Sequence, residues 1–229
     1  MAEIMKLSGV DKSYGTGESR TQVLFGIDLA FEEGGFNSII GSSGSGKTTL
    51  LNIMGTLDRP DKGEVWIAGT RADNMTRNRL AGLRNATLGF IFQFHYLLPE
   101  FSAFENVMMP HLIMGKGADD AARKRARDLL ELVGIGSQAD KLVTKMSGGQ
   151  QQRAAIARAL MNGPRLVLAD EPTGNLDSDT SDSIYKLFRG INEQTKTTFI
   201  IITHDRRIAE RTDRIIEISD GRIRMDIKR

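Results

Sequence analysis

The sequence contains no cysteine. Disulfide frameworks and thiol chemistry are therefore excluded, and the composition suits a reducing compartment. It also lacks an excess of either charge. Lys and Arg number 31 against 29 Asp and Glu, a formal net charge of +2. Bulk charge thus gives no footprint of nucleic-acid binding. No apolar run approaches the ~18 residues of a membrane span, so no direct membrane insertion is expected. The opening MAEIMKLSGV has no apolar stretch of the secretory kind. Repeats, low-complexity tracts and a convincing linker are absent as well. What remains is ordinary for a globular chain: 40% hydrophobic and 26% charged residues in 229, enough for one large α/β domain or two small ones.

Strands are the first pattern present. Val23, Phe25, Ile27, Leu29 and Phe31 alternate, which reads as a half-buried strand. FNSII (36–40) runs into a glycine loop. LGFIF (88–92), RLVLA (165–169) and TTFIIIT (197–203) are continuous apolar runs, the pattern of strands covered on both faces in a parallel sheet. Helical spacing joins Ala122, Ala126, Leu129, Leu130 and Val133, with Asp119 or Asp120 as cap and Gly134 as stop. Asp220-Gly221 centres a C-terminal hairpin. The expected fold is α/β: a mixed, largely parallel core, an antiparallel β subregion, and a helical insert near 95–145.

The strongest chemical signal is GSSGSGKTTLL, Gly41 to Leu51. Gly41, Gly46, Lys47 and Thr48 complete G-x-x-x-x-G-K-[ST] between a strand and a helix start, the context that motif needs. Glycines let the backbone N–H groups of the loop, from Ser42, Ser43, Gly44 and Ser45 to Thr49, close around phosphates. Lys47 reaches the outer phosphates, and the Thr48 hydroxyl suits Mg²⁺. RLVLADEP supplies a second half, an apolar strand ending at Asp170-Glu171. Successive strand side chains diverge, so Asp170 can hold Mg²⁺, directly or through water, while Glu171 polarises an attacking water. Alone, such an acidic pair merely ends a strand; beside the lysine loop it points to nucleoside triphosphate hydrolysis.

A second glycine stretch, MSGGQQQR, has no lysine. Ser147 and the N–H groups of Gly148 and Gly149 can touch a γ-phosphate. Alone, the pattern is a helix N-cap. In company with the other motifs, the chain resembles the ATP-binding cassette family over nearly its whole length. GSSGSGKTT resembles the family's Walker A motif, LVLADEP its Walker B, and MSGGQQQR its signature, with Met146 where leucine is commoner and Ser147, Gly148, Gly149 and Gln150 as the residues implied at the nucleotide. Gln93 in FIFQF matches the Q-loop, Asp177 in GNLDS the D-loop, His204 in IITHD the switch histidine, and Tyr14 in KSYG the aromatic that stacks on adenine. Gly35 departs from the family's usual glutamate, away from the motifs.

The resemblance implies one nucleotide-binding domain over 1–229, with a P-loop core and a helical signature subdomain at about 95–160. It implies an ATPase with ATP and Mg²⁺ as cofactors: Glu171, His204 and Lys47 catalytic, and Thr48, Gln93 and Asp170 at the metal. It also implies an ATP-dependent homodimer in which the signature of one chain faces the Walker A loop of the other. QFHYLLPEFSAFENV (93–107) resembles one subgroup, which serves lipoprotein release, macrolide export and cell division, and looks most like its lipoprotein-releasing members. That resemblance implies integral-membrane permease partners of the LolC/LolE type, and a peripheral place on the cytoplasmic face of the inner membrane. Phe94, Tyr96, Leu97, Leu98, Phe101 and Phe104 are the candidate docking residues, some of them core. His95 and His111 have no metal-ligand spacing and read as packing or surface groups.

Overall fold

A computed structural model describes residues 2–115 and 117–229. Strand β1 (Glu3–Tyr14) lies antiparallel between β2 (Thr21–Glu32) and β4 (Lys62–Ile67), and the short β5 (Thr70–Arg71) completes this four-stranded sheet. The second sheet is built from β3 (Phe36–Ile40), β6 (Leu88–Phe92), β7 (Leu166–Asp170), β8 (Thr198–Ile202), β9 (Arg214–Ser219) and β10 (Arg222–Lys228). Its order is β10-β9-β3-β8-β7-β6, parallel throughout except for the final β9–β10 hairpin.

The continuous apolar runs are explained by two cores, one on each face of the parallel sheet. Val167, Ala169, Phe199 and Ile201 face one cluster, while Leu166, Leu168, Ile200 and Ile202 face the other. With side chains alternating between faces, a strand covered on both sides needs every position apolar. The first cluster is closed by α3 (Ala103–Ile113), α4 (Asp120–Leu132), α5 (Gly148–Leu160) and α6 (Ser178–Thr195). The second takes α1 (Lys47–Met54) and the inner face of the antiparallel sheet. Helix α5 packs on both α3 and α4 and also on β6, so it is the shared wall between helical insert and core. Asp119 caps α4 by accepting from the Ala122 N–H, Gly134 ends it with φ +76°, and the expected apolar face is buried.

Two differences from the sequence reading have local causes. The alternation in β2 holds from Ile27 to Phe31 but reverses before it: Leu24 is buried, while Val23 and Phe25 are half-buried. The register with β1 slips by one residue between Val10–Ile27 and Lys12–Leu24. Gly26 sits there with φ +55°, its N–H held by Asp11 Oδ1 at 2.7 Å. Such a bulge moves the following residues to the opposite face. Helix α2 (Arg77–Thr87) was not legible at all, because only Leu80 and Thr87 of its residues are buried and it carries no apolar stripe.

The C-terminal hairpin turns as expected, with Asp220 and Gly221 both left-handed (φ +50° and +69°). Its tip reaches the glycine loop. The Gly221 N–H donates to the Ser45 carbonyl at 3.1 Å, and the Gly221 carbonyl accepts from the Phe25 N–H at 3.0 Å. Gly41 passes so close to the Ile218 carbonyl that any Cβ there would collide with it.

Candidate active site

The loop after β3 opens α1 with Gly44 at φ +77° and Gly46 at φ +102°, conformations that favour glycine. No side chain caps α1. Its first-turn N–H groups are therefore available to an anion, and the helix end adds partial positive charge. The Ser45 hydroxyl in the same loop is buried without a partner. Lys47 is buried and lies back over the loop, its Nζ donating to the carbonyls of Gly41 (2.9 Å) and Ser42 (2.8 Å). This cradle fits a polyphosphate.

A cleft of about 470 Å³ runs over the loop. Ser43, Gly44, Gly46, Lys47, Thr48 and Thr49 form its floor, and Tyr14, Val23, Gln93, Asp170, Glu171 and His204 close it. Residues from five separate motifs thus meet in one place. Gly41, Ser42 and Ser45 belong to the loop but are not among the residues that line the cleft.

Asp170 ends β7. Burial, and then the neighbouring Glu171, push its carboxyl above the ordinary aspartate range, against the pull of Lys47 and the Thr48 hydroxyl. Glu171 has a left-handed backbone, φ +44°, a conformation that costs energy for a residue with a Cβ and collects at functional sites. Its N–H donates to the Ile202 carbonyl and its own carbonyl accepts from the Gly174 N–H, both at 3.0 Å. Glu171 Oε1 and His204 Nδ1 are 2.9 Å apart. The glutamate side chain is 18% exposed and the histidine 72%, so the histidine reaches into the cleft from its rim.

Tyr14, 43% exposed, lines the same cleft. Its hydroxyl donates to Asp58 Oδ2 at 2.8 Å, and Lys12 Nζ lies 5.0 Å from the ring centroid. Gln93 lines the cleft but directs its amide elsewhere: Nε2 donates to Asn175 Oδ1 (3.0 Å), and Asn175 Nδ2 donates back to the Gln93 carbonyl (3.3 Å). Asn175 was missed by the sequence reading, although it stands inside the GNLDS stretch singled out for Asp177. The two segments are 82 residues apart, and no local pattern marks such a pair.

The signature residues stand apart from the cleft. Ser147 caps α5, its Oγ accepting from the Gln150 N–H (3.3 Å) while Gln150 Oε1 accepts from the Ser147 N–H (3.1 Å). This reciprocal box is a local use for both side chains. Asp177 likewise caps α6, accepting from the Thr180 N–H and hydroxyl at 2.9 and 2.7 Å. Gly149 packs against that cap; a Cβ on it would lie 2.9 Å from Thr180 Cγ2. Ser147, Gly148, Gly149, Gln150 and Asp177 therefore form a separate patch. Among the described residues no group of three or more His, Cys, Asp or Glu side chains could hold a metal, and His111 Nε2 contacts the Gly117 carbonyl at 3.2 Å.

Known proteins share this arrangement. The lipoprotein-releasing system ATP-binding protein LolD 1 of Rhodopseudomonas palustris is 49% identical over 224 residues, 97% of this chain and 99% of the relative. LolD of Anaeromyxobacter dehalogenans is 50% identical over 223 residues, 97% of this chain and 93% of the relative. Among solved structures, the dimeric bacterial ABC transporter cassette MJ0796 superposes with a TM-score of 0.90 at 41% identity, covering 98% of each chain. A dimeric post-hydrolysis state of that cassette, bound to ADP and Pi, superposes equally well at 40% identity. The family described as ABC transporter matches residues 24–174, the span from the bulged strand to the turn after Glu171, and the chain belongs to that family.

Proposed function

We propose that the chain is the ATP-hydrolysing subunit of a lipoprotein-releasing transporter, with Mg·ATP held in the Lys47 cleft and two chains closing around two nucleotides. The observation that carries this reading is a division of labour: loop, carboxylates and histidine share one cleft, while the Ser147 patch lies outside it. A signature loop with no phosphate loop facing it in its own chain is complete only against a second copy.

Each residue then has a task. Lys47 exchanges its two loop carbonyls for the outer phosphates. Tyr14 presents its exposed ring to the adenine. Thr48 and Asp170 offer hard oxygen donors, which suit Mg²⁺, and Gln93 stands beside them at the metal. Magnesium held there would supply positive charge against the negative charge that develops on the phosphates. Glu171 accepts the proton of the attacking water, and His204, already against its carboxylate, fixes its direction and contacts the γ-phosphate. Ser147, Gly148, Gly149 and Gln150 contact the γ-phosphate of the opposite chain, with Asp177 at the same interface. Binding then closes the dimer and hydrolysis releases it.

The permease meets the segment after Gln93. Phe94, Tyr96, Leu98 and Phe101 are exposed there, whereas Leu97 and Phe104 pack onto the core. An exposed apolar patch of this kind suits a short cytoplasmic helix of a LolC/LolE-like partner. No helix among the described residues is long and apolar enough to cross a membrane, and a peripheral place at the cytoplasmic face of the inner membrane follows from docking. The test is reconstitution. With a LolC/LolE-type pair in proteoliposomes, the chain should release a lipoprotein when ATP is supplied, and its ATP hydrolysis should rise. Stimulation only by a macrolide-export or cell-division partner would reassign it within the subgroup.

A further inference from the structure

Helix α5 carries, within the signature stretch, an inward glutamine to which no role has been given. Gln152 is fully buried, and its Nε2 donates to the Pro172 carbonyl at 2.5 Å. A carbonyl only accepts, so the contact fixes the amide orientation. Pro172 follows Glu171, the left-handed residue at the head of the turn that Gly174 closes. Among the described residues this is the one side-chain hydrogen bond from α5 to that turn. The amide oxygen of Gln152, Oε1, is buried without a partner. An unsatisfied buried group is costly and rare, and this one sits on the helix that touches the catalytic turn.

The same helix begins at the signature. Ser147 caps it, and Gly149 packs on Thr180 at the start of α6. A displacement of α5 therefore reaches both the signature patch and, through one amide, the backbone that aims Glu171.

We propose that Gln152 is a positioning residue that transmits the seating of a chain's signature loop to the Glu171 of that same chain. The proposal rests on the shared-site reading above. In that arrangement Ser147 meets the nucleotide held by the opposite chain, whereas Glu171 acts on the nucleotide held by its own. Gln152 thereby joins the two nucleotide sites of the dimer in one equilibrium.

Two variants test it. Gln152→Leu removes the donor at similar volume. Gln152→Glu keeps the shape, cannot donate when ionised and donates again when protonated. For Gln152→Leu, kcat should fall about 10²-fold, as for a misplaced base, with KM changed by less than about twofold. The parent's rate should be sigmoidal in ATP, and the variant's hyperbolic. In a Glu171→Gln background, ATP should still drive Gln152→Leu into dimers. Gln152→Glu should regain activity as pH falls, relative to the parent's own profile, because burial favours the protonated acid. A merely structural glutamine would lower melting and dimerisation together and give no rescue at low pH; that result overturns the proposal. So does a parent-like kcat in Gln152→Leu, or a parent rate that is hyperbolic in ATP. Failure of the parent to bind ATP or dimerise would instead remove the shared-site reading, and is seen before any variant is made.

Discussion

Two glycine-bearing helix starts, at Gly46 and at Ser147, look alike in sequence and are built differently. The first leaves α1 without a side-chain cap, holds two glycines left-handed and folds a lysine over itself. The second closes its own helix end with a reciprocal Ser147–Gln150 box. An uncapped end with a cation beside it can gather charged phosphate unaided. A capped end without a cation can only add to phosphate that is already held. On the shared-site reading proposed above, one loop binds and the other recognises that its neighbour has bound.

Three sets of variants break or sharpen this contrast, beginning with the largest effect. Lys47→Ala should abolish nucleotide binding, measured with a fluorescent ATP analogue, whereas Ser147→Arg should bind with parent affinity. Equal losses in both would erase the distinction between the loops. Next, Glu171→Gln should bind ATP but lose hydrolysis by roughly 10²–10⁴-fold, the contribution of a general base, and accumulate dimers in light scattering. A Ser147→Arg chain mixed with a Lys47→Ala chain can build one complete site from the intact lysine loop and the intact signature. Crosslinking should find that mixed dimer with ATP, and neither homodimer. The smallest effect is Ser147→Ala. Loss of the cap should cost about 1 kcal/mol of stability, read as a modest fall in melting temperature, while nucleotide binding to the isolated chain is unchanged.

Leu98→Glu probes a surface outside both loops. Leu98 is exposed, so the variant should melt normally and keep basal hydrolysis, while co-purification with the permease falls. Normal melting with full permease capture would move the docking surface elsewhere.

Features whose chemistry is local were legible in the sequence. Lys47, Thr48, Asp170 and Glu171 stand in short motifs because a strand end and a helix start place them, and few other sequences serve. The strands β6, β7 and β8 were legible because burial between two cores demands a continuous apolar run. Strand β2 was half legible: its pattern is correct from Ile27 to Phe31 and reversed before the slip at Gly26, which a single glycine and the Asp11 carboxylate hold in place. The contacts Gln93–Asn175 and Gln152–Pro172 were illegible for a different reason. Each joins chemically unremarkable residues, 82 and 20 positions apart, and only the folded chain brings them together.

The hairpin tip on the glycine loop has a consequence for how the protein is made. Residues 41–48 leave the ribosome early, but the loop they form leans on Ile218 and Gly221. During synthesis the growing chain carries the whole lysine motif long before it has the support for it. Domains generally fold as units, and this loop gains its support only once the β9–β10 hairpin has been made. A chain that stops before Ile218 carries the lysine motif without the contacts that support its loop.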